Sequence, residues 1–435
     1  LLCELPSEFF IAFLAFMLGV SRMSVSLQVT VSDANVDATQ PTSQRQLAVA
    51  IAAQPGAMTR QVPLNLCFIL DHSGSMNGQP LEIVKQAAIR LIDRLSPTDR
   101  VAVVAFDHKA KVLVPNQALD DPDQIKAQIE RLQAGGGTAI DEGLRVGIEE
   151  LTKGRKNAVS HAFLLTDGEN EHGNNDRCLK LAHLAAEYNL TLNALGFGSH
   201  WNQDVLEQIA DAGSGSLTYI QFAEEAVGKF GQLFDRMQAV GLTNAQLLLS
   251  LLPGARLAET KPLAQVAPEA IELSAVPEAG FYLTRLGDLM VEVPRVVLVN
   301  LYLSQLATGT QTIANLQVRY DDPASGQSGL TSDLIPVTVN VTAAYQPAIA
   351  PAVQQHILAL GKYRQTQIAE TKLKQGDRTG AATMLQSAAK TALQMGDQGA
   401  ATVLQESATR LQAGEELSES DRKKTRMVSK TILQE

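Results

Sequence analysis

The stretch "FILDHSGSMNG", residues 68 to 78, places one carboxylate and two hydroxyls at alternate positions: Asp71-x-Ser73-x-Ser75. It follows directly on an apolar run. Oxygen side chains gathered on one point are the ligand type of a hard cation. Hydroxyls carry no charge, so such a site is incompletely neutralised and incompletely filled. Two further stretches suit its completion. "AGGGTAIDEGL" carries Thr138 behind three glycines, which permit close backbone approach. "FLLTDGEN" carries Asp167 at the end of another apolar run. Nucleophilic chemistry fits less well. "HSGSM" is not the G-x-S-x-G elbow of a hydrolase, and no G-x-x-x-x-G-K-[ST] phosphate loop occurs. His72 adjoins Ser73, but a strand end turns neighbours apart, so a rim position suits it. His108 and His172 are read as rim or solvated loop residues.

The elements that would position these residues are strands. "LNLCFIL" (64–70), "VAVVAF" (101–106), "HAFLLT" (161–166) and "LTLNALGF" (190–197) are near-continuous apolar runs, as strands buried on both faces require. Between them lie helical patterns; "PLEIVKQAAIRLIDRL" sets Ile83, Ala87, Leu91 and Leu95 on one stripe. The alternation predicts a doubly wound, Rossmann-like α/β domain over 61–240. Asp71 and Asp167 then both fall at the C-terminal edge of a parallel sheet, where such folds bind ligands.

Flanking segments read differently. Alternating strands in 23–60 and again in 241–345 predict a β-sandwich, with the α/β domain inserted between its strands. Residues 346–435 are helical, Ala- and Gln-rich, and contain a short repeat: "GAATMLQSA" and "GAATVLQESA", each preceded by a Gly-Asp step. Gly suits the position after a helix and Asp the cap of the next, so each step predicts helix-turn-helix. The segment is expected to form a small bundle or hairpin. It serves either as a docking surface or as packing against the sandwich.

The chain has 435 residues and a formal net charge of −10. That argues against nucleic acid, which calls for a basic stripe, and against anionic membranes. Three widely spaced cysteines suggest neither disulfides nor zinc, and a cytoplasmic location is expected. The apolar stretch "FFIAFLAFMLGV" (9–20) is short of the about 20 residues of a membrane span. It lacks the basic flank of a secretory signal. Residues 1–22 are therefore read as a non-structural extension, with Met23 opening the first domain.

The set Asp71, Ser73, Ser75, Thr138 and Asp167 resembles the metal-ion-dependent adhesion site of von Willebrand factor A domains. DxSxS, the threonine and the TDG aspartate occur in the family's order, and the likeness covers roughly residues 62 to 240. The resemblance implies Mg2+, with Mn2+ or Ca2+ as alternatives, held by these five residues directly or through water. One coordination position is left for the Asp or Glu carboxylate of a partner protein. It implies a non-enzymatic binding module; the alternative is a non-catalytic subunit of an AAA-type ATPase or chelatase-like machine. An A domain within a β-sandwich also resembles the architecture of integrin β subunits. Because the site lies at a surface edge, Asp71→Ala is expected to abolish ion binding and leave the fold largely intact.

Overall fold

A computed structural model describes residues 23–56, 62–198, 201–220 and 223–430. The reading of residues 1–22 lies outside the described residues. In chain order the first elements are β1 (Ser24–Val31), β2 (Asn35–Asp37) and β3 (Thr42–Gln54). The α/β unit follows: β4 (Leu64–Asp71), α1 (Gln79–Ile92), β5 (Arg100–Phe106), β6 (Ala110–Ala118), α2 (Pro122–Glu130) and α3 (Ile140–Lys153). It continues with β7 (Val159–Thr166), α4 (Asn175–Glu187), β8 (Thr191–Phe197), α5 (Gln203–Ala212), β9 (Ser214–Ile220) and α6 (Ala223–Gln238).

Its sheet has the order β6-β5-β4-β7-β8-β9, parallel except for β6. All eight residues of β4 are buried, and they divide by period two. Leu66, Phe68 and Leu70 enter the cluster beneath α1 and α6, while Cys67 and Ile69 enter the one beneath α3, α4 and α5. The chain leaves β4 toward β5 on one side and returns to β7 on the other. Strand order therefore reverses at the end of β4, which is where Asp71 lies. Strand β6 was not anticipated. It is an antiparallel edge strand, and the exposed Pro115 within it is tolerable there because an edge amide needs no ladder partner.

After α6 come β10 (Val240–Leu251), β11 (Ala255–Leu257), β12 (Leu263–Ala267), β13 (Ile271–Leu273) and β14 (Val276–Glu278). Then follow β15 (Phe281–Met290), β16 (Arg295–Ser304), β17 (Gly309–Asp322), β18 (Gln327–Thr331) and β19 (Ile335–Thr342). They form two sheets with the N-terminal strands. One runs β1-β3-β16-β12-β13, with β11 also on β16; the other runs β14-β15-β10-β17-β19-β2, with β18 also on β17. Leu47, Val49 and Ile51 of β3, Val297 and Val299 of β16, and Leu247 and Leu316 of the second sheet share one apolar core.

Four helices follow: α7 (Pro351–Lys374), α8 (Arg378–Gln394), α9 (Gln398–Gln412) and α10 (Glu419–Lys430). The first helix begins at Pro351. The residues just before it belong to the strand region instead: Tyr345 and Ala348 donate hydrogen bonds to Asp33, and Ile349 bridges Asp33. The Gly-Asp steps act as read. Gly376 and Gly396 take positive φ, and Asp377 and Asp397 cap α8 and α9 by accepting from Gly380 and Ala400. The helices pack on both other parts. Val353 of α7 sits against Ala48, Val266, Val296 and Leu298. Helix α10 lies on α5, where Arg426 and Lys430 pair with Glu207 at 2.5 Å each and Lys430 reaches Asp211 at 3.0 Å.

Candidate metal centre

Strand β4 delivers Asp71 to the sheet edge between β5 and β7. Asp71 is fully buried, not at the surface as the sequence suggested. Its Oδ1 accepts the Ser73 amide at 2.8 Å, which turns the chain sharply after the strand. Its Oδ2 accepts the Thr166 hydroxyl at 2.5 Å, tying the ends of β4 and β7 together. A single 3-10 turn, Gly74–Met76, follows, anchored by the buried Met76. The turn brings the Ser73 and Ser75 hydroxyls to 3.1 Å, and Ser75 Oγ donates to Asp167 Oδ1 at 2.8 Å.

The third segment is the glycine loop. The Gly135 amide donates to the His72 carbonyl at 2.8 Å, and the Gly74 amide to the Gly136 carbonyl at 3.0 Å. Gly136 has φ +84°, and a Cβ there would meet Asp107 Oδ2 at 2.7 Å, so glycine is required on both counts. Thr138 is buried. Its carbonyl accepts the His172 amide, the next amide donates to the Asp107 carbonyl, and Asn170 Oδ1 accepts from Ile140 N–H at 2.7 Å. Thr138 Oγ1 and Ser75 Oγ both flank Gly168: a Cβ built there would stand 3.5 and 3.6 Å from them. All five residues singled out from the sequence are thus brought together around the start of the 167–172 loop.

The donor set is oxygen only: two carboxylates and three hydroxyls. Among the described residues no group of three or more His, Cys, Asp or Glu converges, so a nitrogen- or sulfur-rich centre is not formed. Burial pushes the Asp71 carboxyl up to about 6; hydrogen bonds from Thr166 and Ser73 oppose the rise, and the charge of Asp167 adds to it. Two carboxylates repelling each other across a pair of hydroxyls fit a small hard cation between them. Asp71 already spends both oxygens on Ser73 and Thr166. It holds the loop in shape, and Asp167 accepts from Ser75 beside it.

The histidines take rim positions. His72 is half-buried with Nδ1 3.1 Å from the Gln133 carbonyl, whereas the serine hydroxyls partner each other and Asp167. His172 is exposed and rests against Gly137; His108 is exposed and 3.2 Å from Asp107. Sequence reasoning missed Thr166 and Asn170. Thr166 had a signal, since it directly precedes Asp167 at the end of the same buried strand. Asn170 had none, because its role arises only when the loop folds back onto the start of α3.

Two family models match the chain: the von Willebrand factor type A domain over residues 65–236, and the Sll0103-like C-terminal alpha-helical domain over residues 351–435. "Uncharacterized protein sll0103" of Synechocystis sp. is 61% identical over 412 residues, covering 95% of this chain and 98% of that protein. Among solved structures, a von Willebrand factor type A protein from Catenulispora acidiphila aligns over 96% of this chain and 98% of its own, with a TM-score of 0.79 at 18% identity. The ArnB paralog VWA2 from Sulfolobus acidocaldarius aligns over 93% of this chain and 98% of its own, with a TM-score of 0.57 at 14% identity. At such identities the two structures speak to fold alone.

Proposed function

We propose, for a chain that belongs to the Sll0103-like family of von Willebrand factor type A domain proteins, a role as a non-enzymatic, divalent-cation-dependent protein-binding module. The observation that carries the reading is the convergence of Asp71, Ser73, Ser75, Thr138 and Asp167 at the point where strand order reverses. These residues would hold Mg2+, and Mn2+ or Ca2+ would also suit an all-oxygen set. When bound, the ion supplies a positive centre that accepts one Asp or Glu carboxylate from a partner protein. Ser73, Ser75 and Thr138 donate neutral oxygens and so leave that charge only partly offset. Asp71 fixes the turn from beneath, and Asp167 orients Ser75.

The serine hydroxyls partner each other and Asp167 while the His72 Nδ1 meets the Gln133 carbonyl, an arrangement that suits an oxygen cluster for a cation. We further read the α/β unit as an insertion in a β-sandwich, since β1 and β3 precede it and β16 follows it in one sheet. The buried free thiols of Cys67 and Cys178 suit a reducing cytoplasm. No helix among the described residues is long and apolar enough to cross a membrane.

Calorimetric titration of the full chain with MgCl2 tests the reading. Binding heat is expected for the wild type, and a loss of at least about tenfold in affinity for Ser73→Ala/Ser75→Ala, as hard cations depend on donor number. Circular dichroism checks the fold. Equal magnesium affinity in the two proteins would refute the assignment.

A further inference from the structure

An open groove of about 570 Å³ adjoins the candidate centre. Its charged walls are Lys111 on β6 and Arg131 just past the end of α2, with His72 at the end nearest the centre. Leu113 and Leu132 with two alanines make its apolar part, three glutamines line the rest, and no carboxylate does. That composition stands out in a chain of net charge −10. Lys111 and Arg131 are exposed, and neither is ion-paired among the described residues. Their neighbour Lys126, by contrast, is held by Asp93 at 2.5 Å and Asp123 at 3.3 Å.

Groove and centre share a wall. His72 stands between Asp71 and Ser73, its carbonyl takes the Gly135 amide, and its ring holds the Gln133 carbonyl. The sheet sets the scale. Asp71 lies opposite Phe106 of β5, and Ala105 lies opposite Lys111 of β6. Two strand spacings of about 4.8 Å put the Lys111 backbone roughly 10 Å from that of Asp71, the span of about three residues of extended chain.

We propose that the groove receives an extended acidic segment of the partner protein. One carboxylate occupies the metal position, and a second, about three residues away on the same face of a polyproline-II-like segment, meets Lys111 and Arg131. This assignment rests on the metal-dependent reading and adds the partner's chemistry to it. Charge complementarity favours that occupant: a basic segment would meet like charge in the groove, and a second copy of this chain would bring together two bodies of net charge −10.

The test uses two fluorescent synthetic peptides in a Gly-Ser background, one with a single Glu and one with the pattern Glu-x-x-Glu. Binding to the full chain is followed by anisotropy in Mg2+ and in EDTA. The second peptide is expected to bind about tenfold more tightly, as a desolvating charge contact allows. Lys111→Glu/Arg131→Glu should erase that advantage and leave magnesium-dependent binding of the single-Glu peptide unchanged. Lys180→Glu/Lys390→Glu, exposed positions with the same change in net charge, should preserve it. The proposal is overturned if the wild type does not distinguish the peptides or binds neither, if the advantage survives Lys111→Glu/Arg131→Glu, or if the control removes it equally. An advantage that follows Lys111 and Arg131 but is indifferent to EDTA overturns the metal reading and leaves the groove standing.

Discussion

Asp71→Asn is expected to stabilise the chain in chelator and to weaken it, relative to wild type, in magnesium. The reasoning starts from the burial of Asp71, which pushes its carboxyl from 3.8 to about 6. A raised carboxyl pKa means that the folded chain disfavours the ionised form. The penalty is complete above about pH 6 and fades as pH falls toward 3.8. Two units correspond to about 3 kcal/mol against folding at pH 7.5. Asparagine keeps the acceptor for the Ser73 amide and removes the charge. Its amide then faces Thr166, so one charge-assisted hydrogen bond is exchanged for a weaker one at a cost of about 1–2 kcal/mol. The net gain is about 1–2 kcal/mol in EDTA. Alanine instead strands the Ser73 amide and the Thr166 hydroxyl, each at about 1–3 kcal/mol, and falls below asparagine. The sequence-based expectation that alanine spares the fold therefore gives way to a ranking.

Urea denaturation of the full chain provides the assay, followed by the fluorescence of Trp201. This is the chain's one tryptophan, buried in the α/β unit against Gly196. Saturating Mg2+ adds stability only where the site binds it, about 2.7 kcal/mol at a hundred times the Kd. Wild type should then overtake Asp71→Asn. If Asp71→Asn is less stable than wild type in EDTA at pH 7.5, the charge of Asp71 is not costly and the reasoning fails. If magnesium leaves the order unchanged, Asp71 is not coupled to a metal.

Two other predictions concern the C-terminal helices. Burial raises the Glu370 carboxyl to about 7; Arg426 opposes the rise, while Glu207 and Asp204 reinforce it. Its ionised form is therefore disfavoured in the fold, and stability present below about pH 4.5 is lost as pH rises through 7. Glu370→Gln should raise stability at pH 8 by up to about 3 kcal/mol and by little at pH 5; a variant less stable than wild type at pH 8 would show that the Arg426 contact, 3.6 Å away, dominates instead. Lys362 is fully buried, with its ammonium 3.0 Å from Asp397, the cap of α9. Lys362→Ala should cost about 3–5 kcal/mol in thermal or urea unfolding and Lys362→Met less, since Met keeps the stem packed; a loss under about 1 kcal/mol for Ala would discard the pair as an anchor.

The parts legible in the sequence were those with a local physical cause. Runs such as "LNLCFIL" and "HAFLLT" are apolar throughout because both faces of β4 and β7 are covered. The Gly-Asp steps read correctly because positive φ and a side-chain cap are demands on single residues. In the candidate centre, Asp71, Ser73, Ser75 and Asp167 were singled out because they lie at or directly beyond strand ends, and Thr138 because it follows three glycines. What escaped was set by partners distant in sequence. The edge strand β6 carries a proline that argues for a loop unless its place at the sheet edge is known. Asp71 was placed at the surface because nothing local says that Thr166, 95 residues away, covers it.

The docking of α10 shows why such partners stay hidden. Asp204, Glu207 and Asp211 recur at helical spacing on α5, and Lys423, Arg426 and Lys430 do so on α10. Either stripe alone reads as a solvated helix face. Facing each other, they exclude water: the side chains of Glu207, Arg426 and Lys430 are 5%, 15% and 11% exposed, and Lys423 stacks on Trp201 while donating to its carbonyl. Charge periodicity carries the same positional information as apolar periodicity, but its sign of burial depends on the complementary stripe. Here that complement lies more than 200 residues further along the chain. Pairing the two stripes requires the fold, so the contact that seats the C-terminal helix on the α/β unit is a tertiary property with no local signature.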